Sequence, residues 1–290
     1  MARIEKLVVV GVGLIGGSFA LALKEAGAVR RVIGVGRGAR NIQRALELKI
    51  IDAVGALDAA TLADADLVLL AVPVGQMQPV MRSIAPFLGA KTVVTDAGST
   101  KQDVVELARR ELKGSLSRFV PGHPIAGTEK SGAEAAFAEL YRGRKVVLTP
   151  LKNNEPGAIA LVRSSWESCG ANVFAMKPKE HDAVLATVSH LPHVLAYALV
   201  DRVARDKDAE RLFSYAAGGF RDFTRIASSH PETWRDICLA NREALLAELE
   251  RYGAGLDKLR AVLRRGDAKA LDKLFSGARE ARERWLKDAQ

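Results

Sequence analysis

Short apolar runs alternate with helix-like segments along the first half of the chain. The runs are rich in β-branched residues and occupy residues 7–10, 32–35, 67–72, 92–95, 117–120, 145–148 and 172–174. Between them, segments such as 19–26 and 101–112 carry apolar residues at helical spacing. Continuous apolar strands alternating with helices are typical of a parallel sheet that is covered on both faces. The pattern therefore predicts an α/β domain.

From about residue 179 onward, only helical periodicity remains. Apolar positions recur at helical spacing in residues 181–203, 209–213, 232–252, 256–263 and 268–287, with charges of both signs between them. No Gly/Ser-rich or Pro-rich linker separates the two halves. We therefore predict an α/β domain over residues 1–178, fused directly to an all-α domain over residues 179–290.

Composition excludes some classes of protein and leaves one question open. The hydrophobic fraction of 48% and the charged fraction of 27% are those of a globular chain, not of a disordered one. We find no apolar run near the ~18 residues of a membrane span, and the start of the chain leaves no room for a signal peptide. Cys169 and Cys238 are far apart and favour a reducing compartment, so we expect a cytoplasmic protein. The net charge of +9 permits nucleic acid, small anions or a solvated basic surface.

A glycine-rich turn follows the first apolar run. It reads Gly11-Val12-Gly13-Leu14-Ile15-Gly16 and opens the first helical segment. Gly11 permits a tight turn, Gly13 lets the backbone approach a pyrophosphate, and Gly16 lets the helix pack against the strand. Backbone N–H groups at a helix N-terminus then bind the anion. We expect these three glycines, Leu14 and Ile15 to bind a dinucleotide, together with Val72 and Pro73 at the end of the third run.

The second apolar run ends without the acidic residue that binds the ribose of NAD in many such domains. Gly36 stands there, followed by Arg37 and, three residues later, Arg40. An acid would repel a 2′-phosphate, whereas arginines could pair with it. We therefore favour NADP, or dual use of NAD and NADP, over NAD alone. The alternative is that Arg37 stacks on the adenine and Arg40 is solvated.

The five histidines are few enough to weigh one by one. His123 lies in the rigid loop Pro121-Gly122-His123-Pro124, and loops at strand ends commonly carry functional residues. His190 and His193 are placed by Pro192 in the first turn of an apolar helix, one of them structural and one facing a site. No cysteine or carboxylate cluster accompanies them, and His181 is too distant in sequence to help, so we expect no metal site. We interpret His230 as solvated.

Two other segments suggest sites. Asp96-Ala97-Gly98-Ser99-Thr100 follows a strand and opens a helix, where Ser99 or Thr100 could act as the N-cap. Residues 218–229 begin with two glycines inside the helical half and predict a helix break that lines a cleft. An arginine there could bind a carboxylate through two parallel hydrogen bonds. The alternative is a surface arginine.

Taken together, these motifs resemble the prephenate dehydrogenase family, which includes arogenate and cyclohexadienyl dehydrogenases. The resemblance covers essentially the whole chain in order, and it is carried by the glycine turn and by residues 96–99, 122–129, 189–193 and 219–227. It implies an α/β Rossmann-type parallel sheet domain followed by an all-α helical dimerisation domain. It also implies an NAD(P)-dependent oxidative decarboxylation of prephenate or arogenate, both small anions, in tyrosine biosynthesis.

The resemblance also implies residue roles. His123 would accept the proton of the ring hydroxyl as hydride departs, Ser99 would orient His123 near the nicotinamide, and Arg225 would bind a substrate carboxylate. The remaining positions implied in the substrate pocket are His193, Thr128, Ser229 and Trp234. The end of the chain at Gln290 leaves no room for a fused chorismate mutase domain, so we expect a single activity.

Two alternatives remain open. A Rossmann-plus-helical reductase of the β-hydroxyacid dehydrogenase type would use a catalytic lysine in the helical domain, and we find no lysine in a comparable setting. A dinucleotide-sensing DNA-binding protein would explain the net charge, but it needs a basic recognition helix. The basic tail from Arg251 onward is well mixed with acids. We therefore expect no nucleic-acid partner.

Overall fold

A parallel sheet of six strands forms the largest element of the computed structural model, which describes residues 3–128 and 130–288. The strands lie in the order β3-β2-β1-β4-β5-β6, the order of a Rossmann sheet, and all five pairings are parallel. Their bounds are β1 Ile4–Val10, β2 Val29–Val35, β3 Ala53–Val54, β4 Leu67–Leu70, β5 Val93–Asp96 and β6 Phe119–Val120.

Helices cover both faces of this sheet, as the apolar runs predict. Leu7 and Val9 of β1 belong to one apolar core, and Val8 and Val10 belong to the other. This division follows from the alternation of side chains along a strand. The helices of this part are α1 Leu14–Glu25, α2 Ala39–Glu47, α3 Ala59–Leu62, α4 Met77–Ile84, α5 Gln102–Glu111 and α6 Pro156–Ser168. The predicted α/β fold is confirmed.

Two of the predicted strands lie in a separate small sheet. β7 Gly122–Pro124 pairs antiparallel with β8 Lys145–Leu148, which pairs in parallel with β9 Asn172–Ala175. The periodicity finds β8 and β9 but gives no sign that they leave the large sheet. The segment around His123, interpreted as a loop, is the three-residue strand β7, in which His123 stands opposite Val147.

The remainder of the described chain is helical. Its helices are α7 Pro178–Leu185, α8 Leu191–Ala204, α9 Ala209–Ser214, α10 Gly218–Thr224, α11 Pro231–Ala240, α12 Arg242–Arg264 and α13 Ala268–Asp288. The predicted single helix over 232–252 is wrong, because buried Asn241 separates α11 from α12. The predicted break near the two glycines precedes them, between α9 and α10. By compactness the chain divides into residues 1–242 and 243–290; a domain boundary at 178/179 stays a prediction.

The helical run Pro178–Ala204 corrects one statement made from composition. It joins α7 to α8 through a π-helical turn, Ala186–His190. The run has 27 residues, and an 18-residue window within it has a mean hydropathy of 1.6, so by length and composition alone it could cross a membrane. Polar residues interrupt the run, so the sequence shows no continuous apolar segment there. Among them, His181, Asp182 and His190 are buried in the structure.

The glycine turn between β1 and α1 is fixed by lack of space. Gly11 has a φ of +99°, and a Cβ built there would lie 2.3 Å from the carbonyl oxygen of Ala71. A Cβ on Gly16 would lie 2.2 Å from the carbonyl oxygen of Gly11. Helix α1 therefore packs against the turn at a distance that only glycine permits.

We expect Gly16→Ala to lower the free energy of unfolding by about 1–3 kcal/mol, because the added methyl group meets backbone atoms that cannot move aside. Thermal or urea unfolding measures the change. The matched control is Gly157→Ala in α6, where a Cβ meets nothing within 4 Å. That exposed helical position should gain up to about 1 kcal/mol. Equal stability of the two variants would contradict the packing argument.

Candidate active site

The N-terminus of α1 offers an open anion site at the carboxyl edge of the large sheet. A Cβ at Gly13, the N-cap residue, would meet nothing within 4 Å, so a ligand can approach the backbone there. No side chain caps the helix at Gly13, which leaves its first N–H groups for a ligand. Leu14 is buried and Ile15 half-buried behind this turn. These features fit the pyrophosphate of a dinucleotide.

The turns after β2 and β4 flank this edge. Gly36, Arg37 and Arg40 are exposed, and a guanidinium nitrogen of Arg37 lies 3.2 Å from the side-chain oxygen of Gln76. Val72 is half-buried and Pro73 exposed where the chain leaves β4. All the residues predicted to bind the cofactor, apart from Ser99, therefore lie in or beside the turns that follow β1, β2 and β4 at one edge of the sheet.

Asn41 joins the glycine turn to a later segment. Its side-chain nitrogen donates to the carbonyl of Val12 at 2.7 Å, and its side-chain oxygen accepts from the backbone N–H of Ala133 at 2.8 Å. Arg44, one helical turn further along α2, pairs with Glu134. The segment that follows the His123 strand is thereby attached to the nucleotide edge.

His123 is held at the carboxyl end of β5 by its neighbour Gly122. The N–H of Gly122 lies 3.2 Å from a carboxylate oxygen of Asp96, and its carbonyl accepts from the ammonium group of Lys101 at 2.8 Å. Lys101 and Asp96 form an ion pair with fully buried side chains. Such a pair is tolerated where further hydrogen bonds satisfy its atoms, as those to Gly122 and Gly98 do here.

The hydrogen-bond partner of His123 is His181. Nδ1 of His123 lies 2.8 Å from Nε2 of His181, whose Nδ1 lies 2.7 Å from a carboxylate oxygen of Asp182. The family resemblance implies Ser99 in this place; Ser99 is half-buried, and no hydrogen bond joins it to His123 within the described residues. In the sequence, His181 is considered only as a metal ligand beside His190 and His193, and it is too distant for that. A sequence separation of 58 positions conceals this contact, although adjacent His and Asp residues on a predicted helix are a usable signal.

The carboxylate of Asp182 also caps α5 from outside the helix. It accepts the N–H groups of Lys101 and Gln102, both at 2.8 Å. This arrangement corrects the expectation that Ser99 or Thr100 caps α5: the N-cap residue is Lys101, and the capping hydrogen bonds go to Asp182. Burial acts to raise the pKa of Asp182, but the hydrogen bonds from His181, Gln102 and Lys101 outweigh it and hold that pKa below its usual value.

His123 is uncharged at neutral pH. Burial lowers its pKa well below the ordinary value, and the nearby positive charge of Lys101 acts in the same direction. A neutral imidazole carries a lone pair on one ring nitrogen. His123 can therefore accept a proton.

A second histidine cluster continues from Asp182. The side-chain nitrogen of Asn241 donates to the backbone carbonyl of Asp182 at 2.8 Å and lies 3.0 Å from Nδ1 of His190. The ring of Trp234 lies edge-on to His190 and stacks on His193, with ring centroids 3.6 Å apart in the stacked pair. Of the predicted pocket residues, the structure thus brings His193 and Trp234 into contact.

The helix around these histidines differs from the prediction. Pro192 does not mark a helix start, since the helical run begins at Pro178 and passes through the π-helical turn before it. Proline has no N–H to donate within a helix, and its ring requires space in the preceding turn. The wider π-helical turn accommodates both. Nδ1 of His193 lies 2.9 Å from the carbonyl of Ser189 and so carries the proton.

The other predicted substrate-binding residues are Ser229, Arg225 and Thr128. The carbonyl of Ser229 accepts the hydroxyl of Tyr197 at 2.6 Å. Arg225 opens the 3-10 turn Arg225–Ser228 with an exposed side chain. Thr128 is exposed and accepts the N–H of Lys130 at 3.2 Å; Glu129, the last residue of its motif, lies outside the described residues. Across residues 3–128 and 130–288, no group of three or more His, Cys, Asp or Glu side chains could hold a metal ion.

We expect the free energy of unfolding to fall as the pH is lowered from about 6.5 toward 4. Burial lowers the pKa of His190 from 6.5 to about 4, so the unfolded chain binds a proton that the folded chain does not. The stabilisation, about 3 kcal/mol for His190, is complete above the unfolded pKa and is lost as the pH falls.

Urea unfolding at a series of pH values measures this loss. His190→Gln should remove about one proton from the pH dependence; His230→Gln, which replaces an exposed histidine, is the control variant. A free energy of unfolding that does not change over this interval would contradict the burial argument.

Two family models cover most of the chain. The one described as "Prephenate dehydrogenase, nucleotide-binding domain" matches residues 19–175, and the one described as "Prephenate dehydrogenase, dimerization domain" matches residues 177–277.

Relatives extend the similarity over the whole length. Cyclohexadienyl dehydrogenase of Zymomonas mobilis is 38% identical, over 97% of this chain and 96% of its own. A crystal structure of prephenate dehydrogenase from A. aeolicus, in complex with hydroxyphenyl propionate and NAD+, is also 38% identical, with a TM-score of 0.89 and 98% of each chain covered. Arogenate dehydrogenase of Synechocystis is 31% identical, with a TM-score of 0.81, over 97% of this chain and 100% of its own. On the sheet, the glycine turn and these matches, the chain belongs to the prephenate dehydrogenase family.

Proposed function

We propose that this chain catalyses the NAD(P)-dependent oxidative decarboxylation of prephenate, arogenate or both, with His123 as the base. Membership of the family makes the chain an oxidoreductase of tyrosine biosynthesis. The observation that carries the proposed mechanism is a neutral, half-buried histidine held at the carboxyl edge of a nucleotide-binding sheet.

The cofactor, when bound, accepts the hydride from the ring carbinol carbon. His123 takes the hydroxyl proton from the same carbinol, so that the oxygen can form its double bond to carbon. The bond to the ring carboxylate then breaks and CO2 leaves, while its electron pair completes the aromatic ring and converts the carbonyl oxygen to a phenolate. The phenolate takes back the proton held by His123 and becomes the phenol of the product. Arogenate would yield tyrosine in this way, and prephenate would yield 4-hydroxyphenylpyruvate.

The substrate pocket is proposed on the helical side of His123. His193 and Trp234 form a stacked wall there, and Tyr197 ties down the backbone of Ser229. Arg225, four residues earlier, is proposed to bind a substrate carboxylate through its guanidinium group. Ser99 and Thr128 are proposed as further contacts, Ser99 toward His123 and the nicotinamide. The open turn at Gly13 supports binding of the pyrophosphate by residues 11–16.

The helical part is proposed to form a homodimer. Large apolar side chains are exposed on helices of both compact units, among them Leu239 at 63% and Trp285 at 63%. A second copy would remove such side chains from water. The apolar run Pro178–Ala204 is proposed to be covered in this way rather than by a membrane. We further propose a helical domain that begins near residue 179, a cytoplasmic location and no nucleic-acid partner.

We expect His123→Asn to lower kcat by about 10²–10⁴-fold while the Kd for the cofactor stays within about twofold, because a general base supplies that factor. Formation of NAD(P)H from prephenate and from arogenate measures the rate, and protein fluorescence measures cofactor binding. His230→Asn, at the exposed position just before α11, serves as the control and should retain normal turnover. Turnover by His123→Asn close to that of the unaltered chain would remove His123 from the mechanism.

We expect kcat/KM for NADP to equal or exceed that for NAD, because no acid among residues 36–40 repels a 2′-phosphate. Gly36→Asp should lower the NADP value about 10–100-fold, and Arg37→Ala should lower it by a similar factor, with little effect on NAD in either variant. A Cβ at Gly36 makes only ordinary contacts of 3.5 Å or more, so the aspartate fits. A strong preference of the unaltered chain for NAD would overturn this assignment.

A further inference from the structure

We propose that His181 and Asp182 are a positioning pair that holds His123 in the tautomer with its proton on Nδ1 and its lone pair on Nε2. The proposal rests on the proposed role of His123 as base. Neither residue belongs to the motifs that carry the family resemblance.

The direction of each hydrogen bond follows from Asp182. An ionised carboxylate only accepts, so Nδ1 of His181 carries a proton and donates it at 2.7 Å. Neutral His181 then has its lone pair on Nε2 and accepts from Nδ1 of His123 at 2.8 Å. Nε2 of His123 is left with the lone pair, and it has no hydrogen bond to the protein within the described residues.

The pair has little freedom to reorient. Both side chains are fully buried or nearly so. The carboxylate of Asp182 is fixed by the N–H groups of Lys101 and Gln102, and its backbone carbonyl is fixed by Asn241. These contacts come from α5 and from the residue between α11 and α12. Asp182 is therefore held by hydrogen bonds to two parts of the structure besides its own helix.

The choice of tautomer matters because the other one carries its proton on Nε2 and has no lone pair there to accept the substrate proton. An isolated neutral imidazole in water prefers the proton on Nε2, where it would block acceptance of the substrate proton. A hydrogen bond at the second ring nitrogen selects the tautomer, as a carboxylate does for catalytic histidines in other enzymes. The imidazolium formed during turnover would donate from Nδ1 to the lone pair of His181, so the same contact also stabilises the product of proton transfer.

The test is ¹⁵N NMR of the histidine rings in the full-length protein, with and without cofactor, at mildly alkaline pH. Comparison with His123→Asn assigns the His123 signals. We expect a protonated-type shift for Nδ1 of His123 and an unprotonated-type shift for Nε2. A protonated Nε2 on His123 in the unaltered protein would overturn the proposal, and this measurement depends on no variant of the pair.

Two variants of His181 provide a matched comparison. Glutamine places an amide oxygen where Nε2 stands and can still accept from His123, whereas leucine fills similar space without an acceptor. We expect the ¹⁵N pattern to persist in His181→Gln and to reverse in His181→Leu. We expect kcat to fall roughly 10²-fold in the leucine variant and less in the glutamine variant, with cofactor KM unchanged in both.

The outcomes separate this inference from the proposed function. An unaltered protein with the expected ¹⁵N pattern but no turnover of prephenate or arogenate would contradict the proposed function alone. An active protein in which His181→Leu keeps the tautomer, or in which the glutamine and leucine variants lose kcat equally, would contradict the positioning pair.

Discussion

The buried carboxylate of Asp182 is the interaction on which the arrangement of this site depends. It accepts three N–H groups, from His181 and from the start of α5, at 2.7–2.8 Å. A buried charge is costly unless its oxygens are satisfied, and these donors satisfy it. Because the donors belong to different segments, one side chain sets the distance between the Rossmann sheet and the helix that carries His181. At that distance His181 is close enough to form its hydrogen bond with His123.

The same carboxylate connects two chemically different regions. On one side lie Lys101, Asp96 and the strand that holds His123; on the other, Asn241 leads to His190 and the stacked pair of His193 and Trp234. Burial keeps His123 and His190 neutral on both sides. The two histidines are thus uncharged where a substrate anion and a cofactor are proposed to meet. The positive charge of Lys101 is neutralised by Asp96 in the interior.

The large sheet could be predicted because buried parallel strands leave a direct trace in the sequence. Leu7 to Val10 are apolar without interruption since both faces of β1 are covered. The glycine turn could be predicted for an equally local reason, the absence of space for a Cβ at Gly11 and Gly16. The strand β7 could not, because three residues carry no periodicity.

The contacts around His123 could not be predicted because they join residues far apart in the chain. Neither the bond from His181 to His123 nor the capping of α5 by Asp182 has a local signature. The expected caps, Ser99 and Thr100, have the right residue type at the right place, yet a carboxylate from another helix displaces them. The break at Asn241 likewise arises from distant partners, Asp182 and His190, rather than from helix propensity.

Asn41 places a constraint on how the cofactor edge of this protein can diverge. Its amide spans Val12 and Ala133 and lies one residue beyond Arg40, at the end of the stretch proposed to read the cofactor phosphate. Insertion or deletion between Gly36 and Asn41 would displace the amide by one residue spacing, about 3.8 Å, and would break both bonds at once. Substitution within the stretch leaves them intact. The number of residues in this loop is therefore constrained by the contacts of Asn41, which are unrelated to cofactor choice. Only the types of residue in the loop can vary.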